Sequence, residues 1–201
     1  SSGTQYIDTG FKPNQDTRIV GDMQFLNNTS GNPASLFGYR QSTSAQRYEF
    51  FQYNSLLYSP YNKSAGSTLS LTTNKITIDK NKGITTVNGS TLSNIAYENF
   101  QCSGNLYLFA LNNNGSVTFV EGHKRLYSCK IYNNNTLIRD FIPVKRVSDN
   151  KCGLWDKVTK AFYPNAGTGT FTAGPAINLT GWHRIKGIWT KTTANTWSQA
   201  L

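Results

Sequence analysis

Acidic side chains are scarce in this sequence: 10 Asp and Glu stand against 20 Lys and Arg among 201 residues, a formal charge of +10. No two of these acids lie closer than six positions apart. A retaining glycosidase needs two carboxyls about 5 Å apart, and on one strand face that means acids at i, i+2 or i, i+4. No single strand here carries such a pair. Glu49, Glu98 and Glu121 each stand alone, which counts against a hydrolase. Nucleophilic chemistry is equally short of parts. The 2 His fall in EGHKR (His123) and GWHRI (His183), with no G-x-S-x-G elbow and no glycine-rich phosphate cradle nearby. The 3 Cys, Cys102, Cys129 and Cys152, are odd in number and widely spaced. They form neither a disulfide framework nor a zinc ligand set, and buried free thiols are expected. An enzyme is therefore not expected.

Long apolar runs are missing too. Nothing approaches the roughly 18 residues that span a bilayer, and no basic-then-apolar leader opens the chain. Membrane insertion is not expected. The opening SSGTQYIDTG holds no Met, which fits a domain cut from a longer polypeptide. Hydrophobic content is low at 37%, but 13% of residues are aromatic, and large rings offset the shortage by burying more area each. At this length one all-β domain with a genuine core is the expected outcome.

Helical periodicity is also absent, and what replaces it is a series of short β-branched and aromatic runs set between Asn, Gly, Ser and Thr clusters. Strands are predicted at 17–26, 36–40, 47–53, 56–61, 69–71, 75–79, 106–111, 125–132 and 136–143. Asn88-Gly89, Asn114-Gly115 and the Asn133 to Asn135 run supply residues that tolerate positive φ, as tight hairpin turns demand. Strands of this number need two packed sheets or a closed barrel. Phe37, Phe51, Leu108, Leu126, Ile131, Ile138 and Phe141 are the predicted core. Residues 124–160 hold nine bases against three acids, never more than two bases in a row; this reads either as a solvated basic surface or as an anion site. Several Asn-x-Ser/Thr matches, such as Asn88-Gly89-Ser90, read as products of Asn- and Thr-rich turns.

After Pro175 the composition shifts. Residues 176–201 hold three of the 4 Trp, Trp182, Trp189 and Trp197, and Gly187 is placed for a turn, so a small β-hairpin appendage is expected beyond a 1–175 domain. Its tryptophans either offer a sugar platform or pack against the sandwich or a partner subunit; ring desolvation favours packing.

The strings QYIDTGFKPNQDTRI, LYLFALNNNG, RLYSCKIYNNNTLIRDFIPV and CGLWDKVTKAFYPNAGTGTFTAGP, in that order over residues 4–175, together resemble the concanavalin A-like, laminin G-like domains of bacteriophage tail or fibre proteins and gut-bacterial surface proteins. KGIWTKTTANTW is similar to short Trp repeats that close some phage structural proteins. One departure is PVKRVSDNKCG, where related modules often carry AKN or PAKN, and it leaves the shape of residues 144–152 open. The resemblance implies an antiparallel two-sheet jelly-roll β-sandwich used for carbohydrate recognition or as a structural module. It implies a virion or extracellular location. The implied partners are a cell-surface polysaccharide or glycan, other virion subunits, or further copies of the chain; nucleic acid is not among them.

Sugar sites pair an aromatic platform with side chains that orient hydroxyls. Tyr39, Arg40, Arg47, Tyr48, Gln52, Tyr53, Tyr58 and Tyr61 have those ingredients on three adjacent predicted strands, although one face of any such sheet must be core. The same tyrosines read equally well as packed rings with surface hydroxyls. No cofactor is expected. Calcium is the one ion considered, at Asp79-Lys80-Asn81-Lys82-Gly83, where two lysines oppose it.

Overall fold

The computed structural model describes residues 4–174 together with the backbone of Gly181–Ile185 and Ile188–Thr192. In chain order the strands are β1 (Ile7–Asp8), β2 (Thr17–Phe25), β3 (Ala34–Ser42), β4 (Ala45–Tyr53), β5 (Leu56–Tyr58) and β6 (Thr68–Ser70). Next come β7 (Ile76–Asn81), β8 (Ile84–Val87), β9 (Ser90–Asn94), β10 (Tyr107–Leu108), β11 (Leu111–Asn113) and β12 (Ser116–Thr118). The last are β13 (Lys124–Asn133), β14 (Thr136–Lys145), β15 (Cys152–Asp156), β16 (Ala161–Tyr163), β17 (Gly181–Ile185) and β18 (Ile188–Thr192).

Two eight-stranded sheets make a β-sandwich. The first runs β1-β10-β3-β4-β5-β6, with β11 beside β3 and β12 beside β11; the second runs β16-β15-β14-β13-β2-β7-β8-β9. Pairing is antiparallel except between β11 and β3. β17 and β18 form a separate two-stranded sheet.

Sequence alternation builds these strands directly. β2, TRIVGDMQF, buries every second residue along its whole length, so Ile19, Met23 and Phe25 enter the core while Arg18, Asp22 and Gln24 face outward. The three predicted turns are tight and left-handed: Asn88 and Gly89 have φ of 50° and 81°, Asn114 and Gly115 49° and 95°, Asn134 and Asn135 46° and 63°. PVKRVSDNKCG closes as a hairpin, with Lys145 paired to Cys152 and Arg146 holding Asp149 through a bidentate bridge.

Predicted segment 106–111 breaks into β10 and β11 at Phe109, whose φ of 69° reverses the chain. The core contains Phe37, Leu108, Leu126, Ile131 and Phe141, with Ile138 packed against its edge. Phe51 is the exception. The inner position on β4 belongs to Phe50, and Phe51 is buried on the opposite face of the sheet, against Tyr58 and Phe119. In a strand as aromatic as AQRYEFFQY, a shift of one residue exchanges the two faces.

Two buried lysines cross between the sheets. Lys80 Nζ, from β7, donates to Ser59 Oγ at 2.8 Å and to the carbonyls of Pro60 and Ser59 at 3.1 and 3.3 Å. Lys124 Nζ, from β13, donates to the carbonyls of Phe109 at 2.8 Å and Val120 at 3.0 Å. Buried ammonium groups require such partners. The sequence also predicts buried thiols, and Cys102 and Cys129 are buried while Cys152 is partly so.

Candidate functional site

The eight residues singled out for a sugar platform divide between the two faces of the first sheet. Tyr39, Tyr48, Tyr61 and Gln52 lie on the inner face and are sealed, each at 1% exposure or less. Tyr48 sends its hydroxyl to the carbonyls of Lys80 at 2.6 Å and Thr17 at 3.1 Å, and Tyr61 donates to Gln15 O at 3.0 Å. Tyr39 shares a 2.6 Å hydrogen bond with Ser103. These rings are core, the hydroxyls of Tyr48 and Tyr61 capping backbone carbonyls, and they offer no platform.

The outer face carries the other four. Arg40 grips the fully buried Glu49 carboxylate through two hydrogen bonds of 2.8 and 2.6 Å. Arg47 is buried and donates to Asn62 O and Lys63 O. Both cations are thus committed within the fold. Tyr58 is half-buried and stacks on Phe51, with centroids 5.0 Å apart and planes 5° apart; Tyr53 shares that face by alternation.

A second aromatic pair, missed at sequence level, lies at the β1 edge. Ile7 and Leu108 point inward, which turns Asp8 and Tyr107, paired across the β1–β10 ladder, to the outside. Tyr6 packs on Tyr107 with centroids 4.6 Å apart. Beside them is an open depression of about 270 Å³ lined by Thr4, Tyr6, Val117, Val120, Gly167 and Thr168. Small-molecule pockets run from about 300 to 1,000 Å³, and this depression falls just below that range.

Three distant parts of the chain make its walls. Asn165 organises the 165–169 loop: its Oδ1 accepts from Tyr6 N and Gly167 N, and its Nδ2 donates to the carbonyls of Gly167, Thr168 and Gly169. Gly167 is required there, because a Cβ would meet Thr4 O and the Tyr6 ring. GTGTFTAG supplies this wall, and Phe171 packs on Phe109 at 5.3 Å. The opposite wall hangs on the β11–β12 hairpin. Phe109 and Phe119 at its two ends both hold positive φ, 69° and 55°, at about 1–3 kcal/mol each. Lys124 Nζ binds the Phe109 and Val120 carbonyls and lies 3.4 Å from that of Phe119.

The carboxylates of this region are structural. Glu49, raised in pKa by burial, is tied to Arg40; Glu98 accepts from Asn62 Nδ2 at 2.5 Å. Asp156 is buried and accepts from Asp140 N, Val158 N and Thr159 Oγ1. His123 is exposed in a loop. In the segment considered for calcium, Asp79 accepts both arms of the Arg18 fork and Lys80 is buried. No cluster of three or more His, Cys, Asp or Glu that suits a metal occurs among the described residues.

For the C-terminal hairpin, Trp182 stands opposite Lys191 and Trp189 opposite Arg184. Trp197 and the predicted Gly187 turn lie outside the described residues. Scanned against protein-family models the chain matches none, and no curated protein matches it. The class that the fold defines is an all-β, two-sheet sandwich.

Proposed function

We propose that this chain is a non-catalytic, lectin-like carbohydrate-binding module of the concanavalin A-like, laminin G-like kind, carried by a virion or a bacterial surface and used to attach to host-surface glycan. One observation supports this most directly: the half-exposed Tyr6–Tyr107 pair beside a depression walled by loop 165–169 and the β11–β12 hairpin. Sugar rings present apolar C–H faces that stack on such rings, while hydroxyls bond to nearby polar groups. Glycan-array screening followed by titration calorimetry tests it. Tyr6→Ala and Tyr107→Ala each weaken the best hit by about twofold to tenfold, the cost of losing one stacked ring. A protein that retains its circular-dichroism spectrum but recognises no glycan refutes the reading.

A purely structural role in assembly draws on a different observation. An isolated two-stranded hairpin such as β17–β18 is marginal in water and needs a surface to cover it. Sedimentation of the whole chain decides: a stable monomer, unaltered by Trp182→Ala and Trp189→Ala, counts against assembly through this element.

A further inference from the structure

The net charge of +10 suggests an anionic ligand, such as a phosphate-bearing wall polymer. The residues that line the depression carry none of this positive charge. Of the six lining residues, only Tyr6 carries an ionisable group. The neighbouring charge is negative: Asp8 stands opposite Tyr107 in the ladder, so their Cβ atoms are about 5 Å apart. Its carboxylate is held in place by Asn105 Nδ2, at 3.0 and 3.2 Å, and by Gly10 N at 2.8 Å. The Tyr107 phenol is pushed up in pKa by burial first and by Asp8 next.

The two arginines on the outer face of this sheet, Arg40 and Arg47, are held within the fold, and Arg139 reaches the β1 edge from β14 of the second sheet. Arg40 is bound to Glu49, and Arg47 to two carbonyls. Arg139, which donates to Thr9 O, lies 3.7 Å from Asp156. The basic excess of residues 124–160 belongs to the second sheet. There Lys130 and Lys145 are exposed, each next to an inward-facing neighbour, so both point away from the first sheet. Two packed sheets are about 10 Å apart, which already equals a Debye length of about 8–10 Å at physiological salt.

Resting on the carbohydrate-binding reading above, we propose that the depression beside Tyr6 and Tyr107 takes uncharged sugar chains, and that the basic surface of the second sheet has no part in holding them. Hydroxyls and apolar ring faces suit this lining; a phosphate or uronate there loses its hydration and meets Asp8, and none of the six lining residues brings a cation to repay it.

The test compares neutral polymers (a β-glucan, a mannan, N-acetylglucosamine oligomers) with anionic ones (a teichoic acid, polygalacturonate) at low and high salt. Neutral binding is expected to change by less than about twofold with salt and to survive Lys130→Glu and Lys145→Glu. It is expected to fall about twofold to tenfold with Tyr6→Ala. Val117→Arg, at a position 39% exposed and hence harmless to the core, also weakens it by crowding the depression. Binding only of anionic polymers, steeply salt-dependent and lost on Lys130→Glu with Lys145→Glu, overturns this proposal and leaves the carbohydrate-binding reading intact. Binding of neither class overturns both.

Discussion

Lys80 makes the fold's stability depend on pH in an unusual direction. Its side chain is wholly buried, with Nζ 4.7 Å from the centroid of the Tyr48 ring. Burial brings its pKa from 10.5 down to about 7, and Lys124 behaves the same way. Unfolded, both lysines keep the ordinary value. Between about pH 7 and 10.5 the unfolded chain therefore binds more protons than the folded one, and stability rises with pH across that window. From pH 7 to 9 the gain is about 2 kcal/mol per lysine. Cys102 and Cys129 act in the opposite sense, since burial pushes both thiols well up and the unfolded chain loses those protons first. By pH 9 the two thiols together remove less than about 1 kcal/mol.

The net expectation is a gain of about 3 kcal/mol, or a rise of 1 M or more in the urea midpoint for an m-value of about 1–3 kcal/mol/M. Urea unfolding followed by tryptophan fluorescence at pH 7, 8 and 9 measures it. Lys80→Met is the informative variant. It removes the titrating group and keeps most of the volume, at a cost of about 1–3 kcal/mol at pH 7 for the Ser59 and Pro60 acceptors left unpaired. Its midpoint should climb only about half as far between pH 7 and 9. A parent midpoint that is flat or falling over this range, or a Lys80→Met slope equal to the parent's, refutes the reasoning.

Other substitutions test the remaining links. Glu49→Ala strands the Arg40 guanidinium in a site where its side chain is 12% exposed, and is expected to destabilise by about 3–5 kcal/mol. The double variant Glu49→Leu with Arg40→Met recovers most of that loss in chemical denaturation, and failure to recover means that Glu49 has a role beyond the pair. Lys124→Met releases the carbonyls at both ends of the β11–β12 hairpin, where Phe109 and Phe119 hold positive φ. Amide exchange over residues 109–121 is then expected to quicken by about tenfold or more, equivalent to the loss of about 1.4 kcal/mol of local protection, with little change in β2 or β13.

The sandwich was legible because strands such as β2 and β7 alternate cleanly and its turns carry Asn and Gly where positive φ is needed. The strands that were missed show the limit of that logic. β1, β12 and β16 have only two or three residues each, too few for a period of two to register. β8 and β9, ITTV and STLSN, are mostly Ser and Thr, which read as loop although they bury Thr85 and Ser93. β15 has the burial of a strand, but CGLWD carries a glycine at its second position. Gly153 is there because the Tyr163 carbonyl and the Phe162 ring leave no room for a Cβ, and close backbone approach has no signature in a single sequence.

The candidate site failed to show for a related reason. β3 and β4 carry large polar or aromatic residues on both faces, so composition alone marked the whole stretch as rich in binding groups. The inner face took the rings able to reach a backbone carbonyl with a hydroxyl, as Tyr48 and Tyr61 do, and a tyrosine satisfied in this way is worth more inside than out. Tyr6 and Tyr107, by contrast, sit in strands of two residues or beside them, at positions 101 apart in sequence. Only the β1–β10 ladder brings them together, and only Asn165, from a third place in the chain, builds the wall next to them. Residues joined by pairing across the whole length of a domain leave no local spacing to read. What was readable is the alternation QYIDTG, which with Ile7 inside obliges Tyr6 and Asp8 to face out together, and that pairing of a ring with an acid puts negative charge beside the exposed rings at this edge.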